Sequence, residues 1–443
     1  MTTAAVESAV ATVRVETRQM VTAVTASLLG WSLDLFDLFI LLYVAPVVGK
    51  LFFPSDIPTL SLAAVYASFA VTLLMRPFGS ALFGSYADRF GRKGTMIFAV
   101  IGVGISTALF GALPTIAQAG LIAPVLFLIL RLIQGLFVGG VIASTHTIGT
   151  ESIPAKWRGL MSGLIGGGGA GIGALIASLA YYIASELFPG DAFNVWGWRF
   201  MFFSGIISAI LGVFIFKSLE ESPIWAALKA QRAARGGEVI RAPVRELFSR
   251  EYLPIFAVNL LLTFGGGAGY YLTSGYLPAY LKVVSGIPNQ DASIILIWSS
   301  IAVVIVCVVV GHISQIWGRK KTFIAMAVLR IIGMPLCFLG MAGTKDIGLL
   351  TTYALILTFL GNGGYAPIMV FLNERFPTAL RSTGTGLSWN VGFALGGIMP
   401  TFVTLSASTP QDLPMVLAIF TGVISVLFLI GALIVPETKD QFT

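Results

Sequence analysis

Charge is what this sequence has least of. Lys, Arg, Asp and Glu make up 11% of its 443 residues, 27 basic and 20 acidic, against about 25% in an average soluble protein. A water-soluble chain of this length could not cover its surface with so few charges. A soluble globular enzyme is therefore excluded, and so is a disordered chain. Cysteine is nearly absent as well: Cys307 and Cys337 are the only two, both in apolar runs. They offer no metal-ligand spacing and carry no information about redox compartment. Also missing are a P-loop, a pore-loop signature, any Asn-x-Ser/Thr acceptor, and a basic run interleaved with stacking aromatics. The first absence removes ATP as an energy source and the second argues against a channel. The last removes nucleic acid as a partner, despite a net charge of +7. No enzymatic activity, cofactor or metal is expected.

What is present is apolar. Hydrophobic residues make up 56%, and the mean hydropathy is +0.91. A spanning helix needs about 20 mostly apolar residues. Twelve such runs lie near 22–49, 60–84, 94–113, 120–148, 157–186, 198–217, 253–283, 291–311, 322–341, 349–372, 383–406 and 412–435. The first is too long and starts too late for a signal peptide, so it stays as a spanning helix. A polar stretch at 218–252 separates six runs from six. The expected fold is thus an all-α membrane protein: a six-helix bundle over 1–217, a cytoplasmic loop over 218–252 and a second bundle over 253–443. With the N-terminus inside, twenty Lys and Arg fall on the cytoplasmic side. Four fall outside (Lys50, Arg199, Lys282, Lys345) and three lie within runs. That asymmetry puts both termini in the cytoplasm.

The two halves repeat each other. Gly84-Ser-Tyr-Ala-Asp88-Arg89-Phe90-Gly91-Arg92-Lys93, in the second-to-third loop, matches Gly311-His-Ile-Ser-Gln315-Ile-Trp317-Gly318-Arg319-Lys320 in the eighth-to-ninth, 227 residues on. Glu151-Ser-Ile-Pro154-Ala-Lys-Trp-Arg158-Gly159 matches Glu374-Arg-Phe-Pro377-Thr-Ala-Leu-Arg381-Ser382, 223 residues on. Two motif pairs at corresponding loops indicate a duplicated six-span unit with parallel halves.

The Gly84–Lys93 segment resembles the second-to-third-loop signature of the major facilitator superfamily, G-x-x-x-D-R-x-G-R-[RK], at every position. Trp31-Ser-Leu-Asp34-Leu-Phe36-Asp37-Leu-Phe39 resembles the first span of its metabolite–proton symporters and of the related sialate and carboxylate symporters. Arg131-Leu-Ile-Gln134-Gly135, the Glu151…Arg158 segment and Asn373-Glu374-Arg375-Phe376-Pro377 are similar to that group and to the sugar porters. The resemblance covers essentially the whole chain. Gln315 stands where the family often has an acid, so the second-half signature is expected to contribute less to gating.

Five charges remain inside the runs: Asp34, Asp37, Arg76, Arg131 and Arg330. Such groups are costly in hydrocarbon and should face a bundle interior or a cavity. Asp34 and Asp37, three apart, share a helix face. The resemblance implies that Asp37 pairs with Arg131 and exchanges that partner for a proton. The alternative is a permanent ion pair between two helices. Asp34 is either a second proton site or a packing contact, and Gln134 either a substrate donor or interhelical glue. Arg76, before Pro77, is expected to help lock the inner gate. Arg330, on a peripheral span, is expected either to snorkel or to pair with a neighbour, and His146 to be a packing residue.

The loop residues Asp88, Arg89, Arg92, Glu151, Arg158, Glu374 and Arg381 are gating devices on the resemblance. The arginines would also follow from topology alone; the acids would not. Gly166–Gly171 fits G-x-G-x-x-G formally, but it lies inside an apolar span with no preceding strand, so a dinucleotide site is rejected. Asn259, Tyr270, Asn362, Tyr365, Trp389 and Asn390 are the second-half substrate candidates, beside a Gly265–Gly269 run that can let its helix bend. The expected protein is a monomeric inner-membrane secondary transporter. It would carry a small organic carboxylate in with protons. A sugar or polyol, a zwitterionic osmolyte, or efflux are the alternatives.

Overall fold

A computed structural model of the chain describes residues 17–90, 92–151, 153–218, 246–376 and 381–439. Among the described residues there is no strand, and twelve helices follow the twelve apolar runs. They are α1 (Thr17–Phe52), α2 (Pro58–Phe90), α3 (Arg92–Ala112), α4 (Ile122–Glu151), α5 (Arg158–Leu187), α6 (Trp198–Phe203, continued by Gly205–Ser218), α7 (Leu253–Val283), α8 (Asn289–Trp317), α9 (Arg319–Met341), α10 (Ile347–Arg375), α11 (Arg381–Ser406) and α12 (Leu413–Ile434). Ten are long and apolar enough to cross a membrane; the apolar part of α3, Ile97–Ala112, is shorter. The remaining one, α11, is rich in Ser, Thr and Gly.

Helices suit this sequence because they satisfy every backbone group within one segment, which hydrocarbon demands. Several buried hydroxyls are satisfied the same way. Ser178, Ser300, Thr404 and Ser425 each donate to the carbonyl four residues back, at 2.6–2.8 Å. Large apolar residues such as Phe78, Phe214, Ile332 and Leu336 point outward, each more than 60% exposed. In water that pattern would be a liability; against lipid it is the expected outer surface.

The internal repeat is legible in the packing. In the first six helices α2 lies on α4, α3 on α6 and α1 on α5; in the last six α8 lies on α10, α9 on α12 and α7 on α11. Each pairing recurs six helices later. Between the two sets, α5 lies on α8, α2 on α11 and α1 on the end of α7.

Glycine sets how closely the helices approach. A Cβ on Gly139 would lie 2.2 Å from the Arg76 carbonyl oxygen, and one on Gly135 2.5 Å from that of Thr72. So α2 and α4 meet backbone to backbone, which fixes the height of Arg76. On α5, Gly159, Gly163, Gly167 and Gly171 lie one turn apart and face Gly311, Cys307 and Val304 of α8. Between α8 and α9 the chain turns at Gly318, whose φ of +103° suits glycine.

Candidate functional site

The five intramembrane charges are all buried, between 0% and 6% exposed. Asp34 and Asp37 share a face of α1, and α2, α3, α4 and α6 contribute to their surroundings. The Asp34 carboxylate is 3.9 Å from Arg76 Nη1, within ion-pair range but too long for a hydrogen bond. Asp37 accepts a weak bond, 3.4 Å, from the Ser208 hydroxyl. Both acids line a cavity with Gly30, Leu33, Val100, Val103, Val141 and Ser208, whose accessible volume is about 10 Å³. That is room for roughly one water.

Arg131 lies in a different setting. Its Nη1 donates to Gln134 Oε1 at 2.8 Å, and Gln134 Nε2 donates to Thr107 at 2.7 Å. The guanidinium sits over the Phe110 ring at 4.0 Å and near Phe127 at 5.1 Å. Its Nε and Nη2 have no hydrogen-bond partner among the described residues. Among those residues there is no ion pair between Asp37 and Arg131; Asp34–Arg76 is the one formed in this half. Gly205 of α6 packs against both Thr107 and Asp37. The two groups therefore belong to one polar cluster without touching.

Between the two sets of six helices the interior is aromatic. Tyr270 and Tyr365 stack at 5.5 Å, and Trp389 and Phe393 at 3.9 Å. Tyr365 packs on both Trp389 and Phe393. Trp31 meets Trp389 edge-on at 6.0 Å, and Phe39 meets Tyr270 at 6.1 Å. Tyr43 bonds Ser178, which reaches Ser300 across the two halves. Tyr271 lies within electrostatic reach of Arg76 and Asp34, so the aromatic cluster adjoins the charged one.

The halves also touch on either side of this cluster. At the end carrying the signature loops, α5 lies on α8 and the Gly159 amide donates to Gln315 Oε1 at 3.2 Å. Arg319, 0% exposed, donates twice to Glu374, at 2.9 and 3.1 Å, and to Gln315 and Ser314. Glu437, beyond α12, accepts from the Arg319 and Lys320 amides at the start of α9, where a carboxylate complements the helix dipole. Thr438 donates to Glu374. At the far end Tyr66 stacks on Tyr276 at 5.0 Å, and Gln290 bonds Glu186. Among the described residues the two halves therefore make contact on both sides of the aromatic cluster.

The expectations for Asp37–Arg131 and for Asn259 need correction. Asp37 and Arg131 are not paired: Asp37 takes its bond from Ser208, and Arg131 bonds Gln134 and lies over Phe110. Of its two alternatives Arg330 takes the neighbour: it is 0% exposed and donates to the Gly265 carbonyl of α7 at 2.8 Å. Asn259 is not near the aromatic cluster; it accepts from Arg375 at 3.4 Å toward the signature-loop end. Gln315, standing where the signature often has an acid, accepts from both Arg319 and the Gly159 amide of the opposite half.

Tyr270, Tyr365 and Trp389 are brought together. Asn390 is buried beside Trp389, and Asn362 ties α10 to Ser274 of α7 at 2.9 Å. The side chains of Asp88, Arg89, Arg92, His146, Glu151 and Arg381 lie outside those described. Tyr271, beside Tyr270 after the glycine run, joins the aromatic cluster; Trp31, Phe39, Tyr43 and Phe393 were not among the sequence candidates. The aromatic density of the first span was the available signal.

A model of the Major Facilitator Superfamily matches residues 20–400. The inner membrane metabolite transport protein YhjE of Escherichia coli is 28% identical over 421 residues, 94% of each chain. The proline/betaine transporter of Salmonella typhimurium is 27% identical, covering 95% of this chain and 84% of that one. Among solved structures, the proton:xylose symporter XylE bound to 6-bromo-6-deoxy-D-glucose superposes with a TM-score of 0.74, covering 96% of this chain and 98% of that one at 19% identity. That last likeness is one of fold.

Proposed function

Because the chain belongs to the Major Facilitator Superfamily, it is a membrane transporter and not an enzyme, and we propose that it takes up a small carboxylate-bearing solute together with a proton. The observation that carries this reading is the state of Arg131. It is a buried guanidinium with two donors unpartnered among the described residues, while Asp34 is held by Arg76 and Asp37 by Ser208. Burying a cation without an acid is costly, and a substrate carboxylate would supply the missing charge. Asp37 is the acid that can take a proton without breaking an ion pair, and the adjoining cavity has room for a water to deliver it. The solute then sits between residues 1–217 and 253–443, and the two halves rock about it. Arg319, Glu374 and the signature loops act at the cytoplasmic gate, with both termini on that side of the inner membrane. The lysine and arginine asymmetry supports that orientation, and the similarity to the inner membrane protein YhjE supports that location.

A second reading is favoured by the aromatic cluster. The faces of Tyr270, Tyr365, Trp389 and Phe393 suit an onium group, so the solute would be a zwitterion with a quaternary or secondary ammonium at one end and a carboxylate at the other. The relatives named as proline/betaine transporters support this version.

The test is uptake into proteoliposomes under an imposed pH gradient, with succinate, glycine betaine and xylose as probes. Accumulation of either acid but not the sugar is expected, with betaine ahead of succinate if the second reading holds. Asp37→Asn should abolish accumulation and leave exchange of labelled for unlabelled solute intact. Continued uphill uptake by Asp37→Asn would sink the coupling assignment, and uptake of xylose alone would sink the substrate class.

A further inference from the structure

We infer that Arg330 is a positioning residue: one buried guanidinium that holds the break in α10 and the glycine segment of α7 so that Tyr365 and Tyr270 stack. The inference rests on the reading above only in taking that aromatic cluster as the binding surface.

Helix α10 is interrupted. It is helical over Ile347–Gly363 and again over Ile368–Arg375. Between them Asn362 O accepts from the amides of both Tyr365 and Ala366. Helix α7 is regular over Leu253–Tyr270 and widens to a five-residue π-turn over Tyr271–Gly275. Tyr365 and Tyr270 thus both stand at irregularities, and each is preceded by glycine. Arg330 of α9 lies behind both. A Cβ on Gly269 would lie 1.7 Å from its Nη2, and one on Gly364 2.7 Å from its Nη1. Nη2 donates to Gly265 O at 2.8 Å, and the guanidinium rests over the Phe428 ring at 4.7 Å.

No acid is within ion-pair distance of Arg330 among the described residues; its charge meets one carbonyl and the Phe428 ring, and Nη1, beside Gly364, and Nε have no hydrogen-bond partner among those residues. The first segment of α10 ends against it. Carbonyls without intrahelical partners gather at a helix C-terminus, and a cation there is favourable. An apolar side chain of similar volume would fill the space without burying a charge. What Arg330 adds is a flat, charged plate that two broken helices can share. Without it, Gly364 and Gly269 lose the surface that spaces them, and the Tyr270–Tyr365 stack loses its backing.

Four variants test this: Arg330→Met, Arg330→Lys, Gly269→Ala, and Gly269→Ala with Arg330→Lys. The readouts are amide hydrogen exchange at 361–368 and 265–275 in nanodiscs, and the half-saturation and maximal rate for glycine betaine and succinate. Arg330→Met should speed exchange at both segments, spare α1–α6, and raise half-saturation about tenfold, the loss of one charged hydrogen bond. The maximal rate should change less. Arg330→Lys keeps the charge and should recover part of the loss. Gly269→Ala should reproduce the Arg330→Met defect by pushing the guanidinium away. Pairing it with Arg330→Lys, whose slimmer end leaves room for the new methyl, should restore exchange and half-saturation toward wild type.

Unchanged exchange at both segments in Arg330→Met would overturn the proposal. So would a Gly269→Ala defect that Arg330→Lys fails to relieve, which keeps the test decisive even where Arg330→Met does not fold. Faster exchange with unchanged half-saturation for both probes leaves the grip of Arg330 standing and rejects the aromatic cluster as the binding surface.

Discussion

Replacing Gly163 by alanine should prise open the signature-loop end of the molecule. A Cβ at Gly163 would sit 2.2 Å from the Cys307 carbonyl oxygen, 3.0 Å from its carbon and 3.3 Å from the Gly311 Cα. Ordinary contact begins near 3.4 Å, so the new methyl is about 1.2 Å too close to backbone that no rotamer change can move. Helices α5 and α8 must separate by about that much. The bond from the Gly159 amide to Gln315, already 3.2 Å, then goes beyond hydrogen-bond range. Overpacking of this kind costs about 1–3 kcal/mol, and only the state with this end closed bears the cost. The open-to-closed ratio should therefore rise by roughly 5- to 150-fold. Cys307 lies at the contact and is fully buried. With Cys337→Ser it becomes the sole cysteine, and its alkylation by a maleimide reports opening. The rate should rise by the same factor in Gly163→Ala. Gly386→Ala, where a Cβ meets nothing within 4 Å, serves as the control and should behave as wild type. Unchanged Cys307 alkylation in Gly163→Ala, with normal protein levels and transport, would refute the idea that this contact closes the end.

Other consequences follow from single contacts. Glu374→Gln removes the charge facing Arg319 and leaves a fully buried cation, which should destabilise the protein by about 3–5 kcal/mol, read as a lower melting temperature in detergent. Tyr66 and Tyr276 stack, but only Tyr276 has a bonded hydroxyl, to Thr404 at 2.9 Å. Tyr66→Phe should thus be silent or slightly stabilising, while Tyr276→Phe should lose about 1 kcal/mol in the same melting assay. Asn259→Ala should leave substrate half-saturation unchanged because Asn259 bonds Arg375, whereas Tyr365→Ala should raise it.

The fold was legible in the sequence because membrane helices announce themselves by length and apolarity, and all twelve runs became helices. The hydropathy of α11 is diluted by its Ser, Thr and Gly, yet the repeat still located it: the Glu374–Ser382 motif fixes where the helix must start. Less legible were the irregularities. Gly265–Gly269 read as a place to bend, but α7 stays regular through the glycines and widens just after them, at Tyr271–Gly275. Glycine here serves the approach of neighbours, Phe428, Ile368, Phe393 and Arg330, which is information carried by other helices.

Partnership within the charged cluster was the least legible feature, and the reason is geometric. Two acids and three guanidiniums allow six pairings, and sequence spacing constrains none of those between helices. What selects Asp34–Arg76 is the contact of α2 with α4, where Gly135 and Gly139 let the backbones meet. That approach sets Arg76 beside α1. Arg131, on the same α4, has its guanidinium over Phe110 of α3 instead, and Gln134 satisfies one of its donors. Helix spacing is decided by glycine, and charge pairing follows from helix spacing. On the proposed mechanism this has a functional reading. An exchange that brings Asp37 to Arg131 requires Thr107 and Gln134 to give way, and both ride on helices that pack against α6 or α2. The proton site and the moving helices are then linked through two neutral side chains that the sequence marks only as polar.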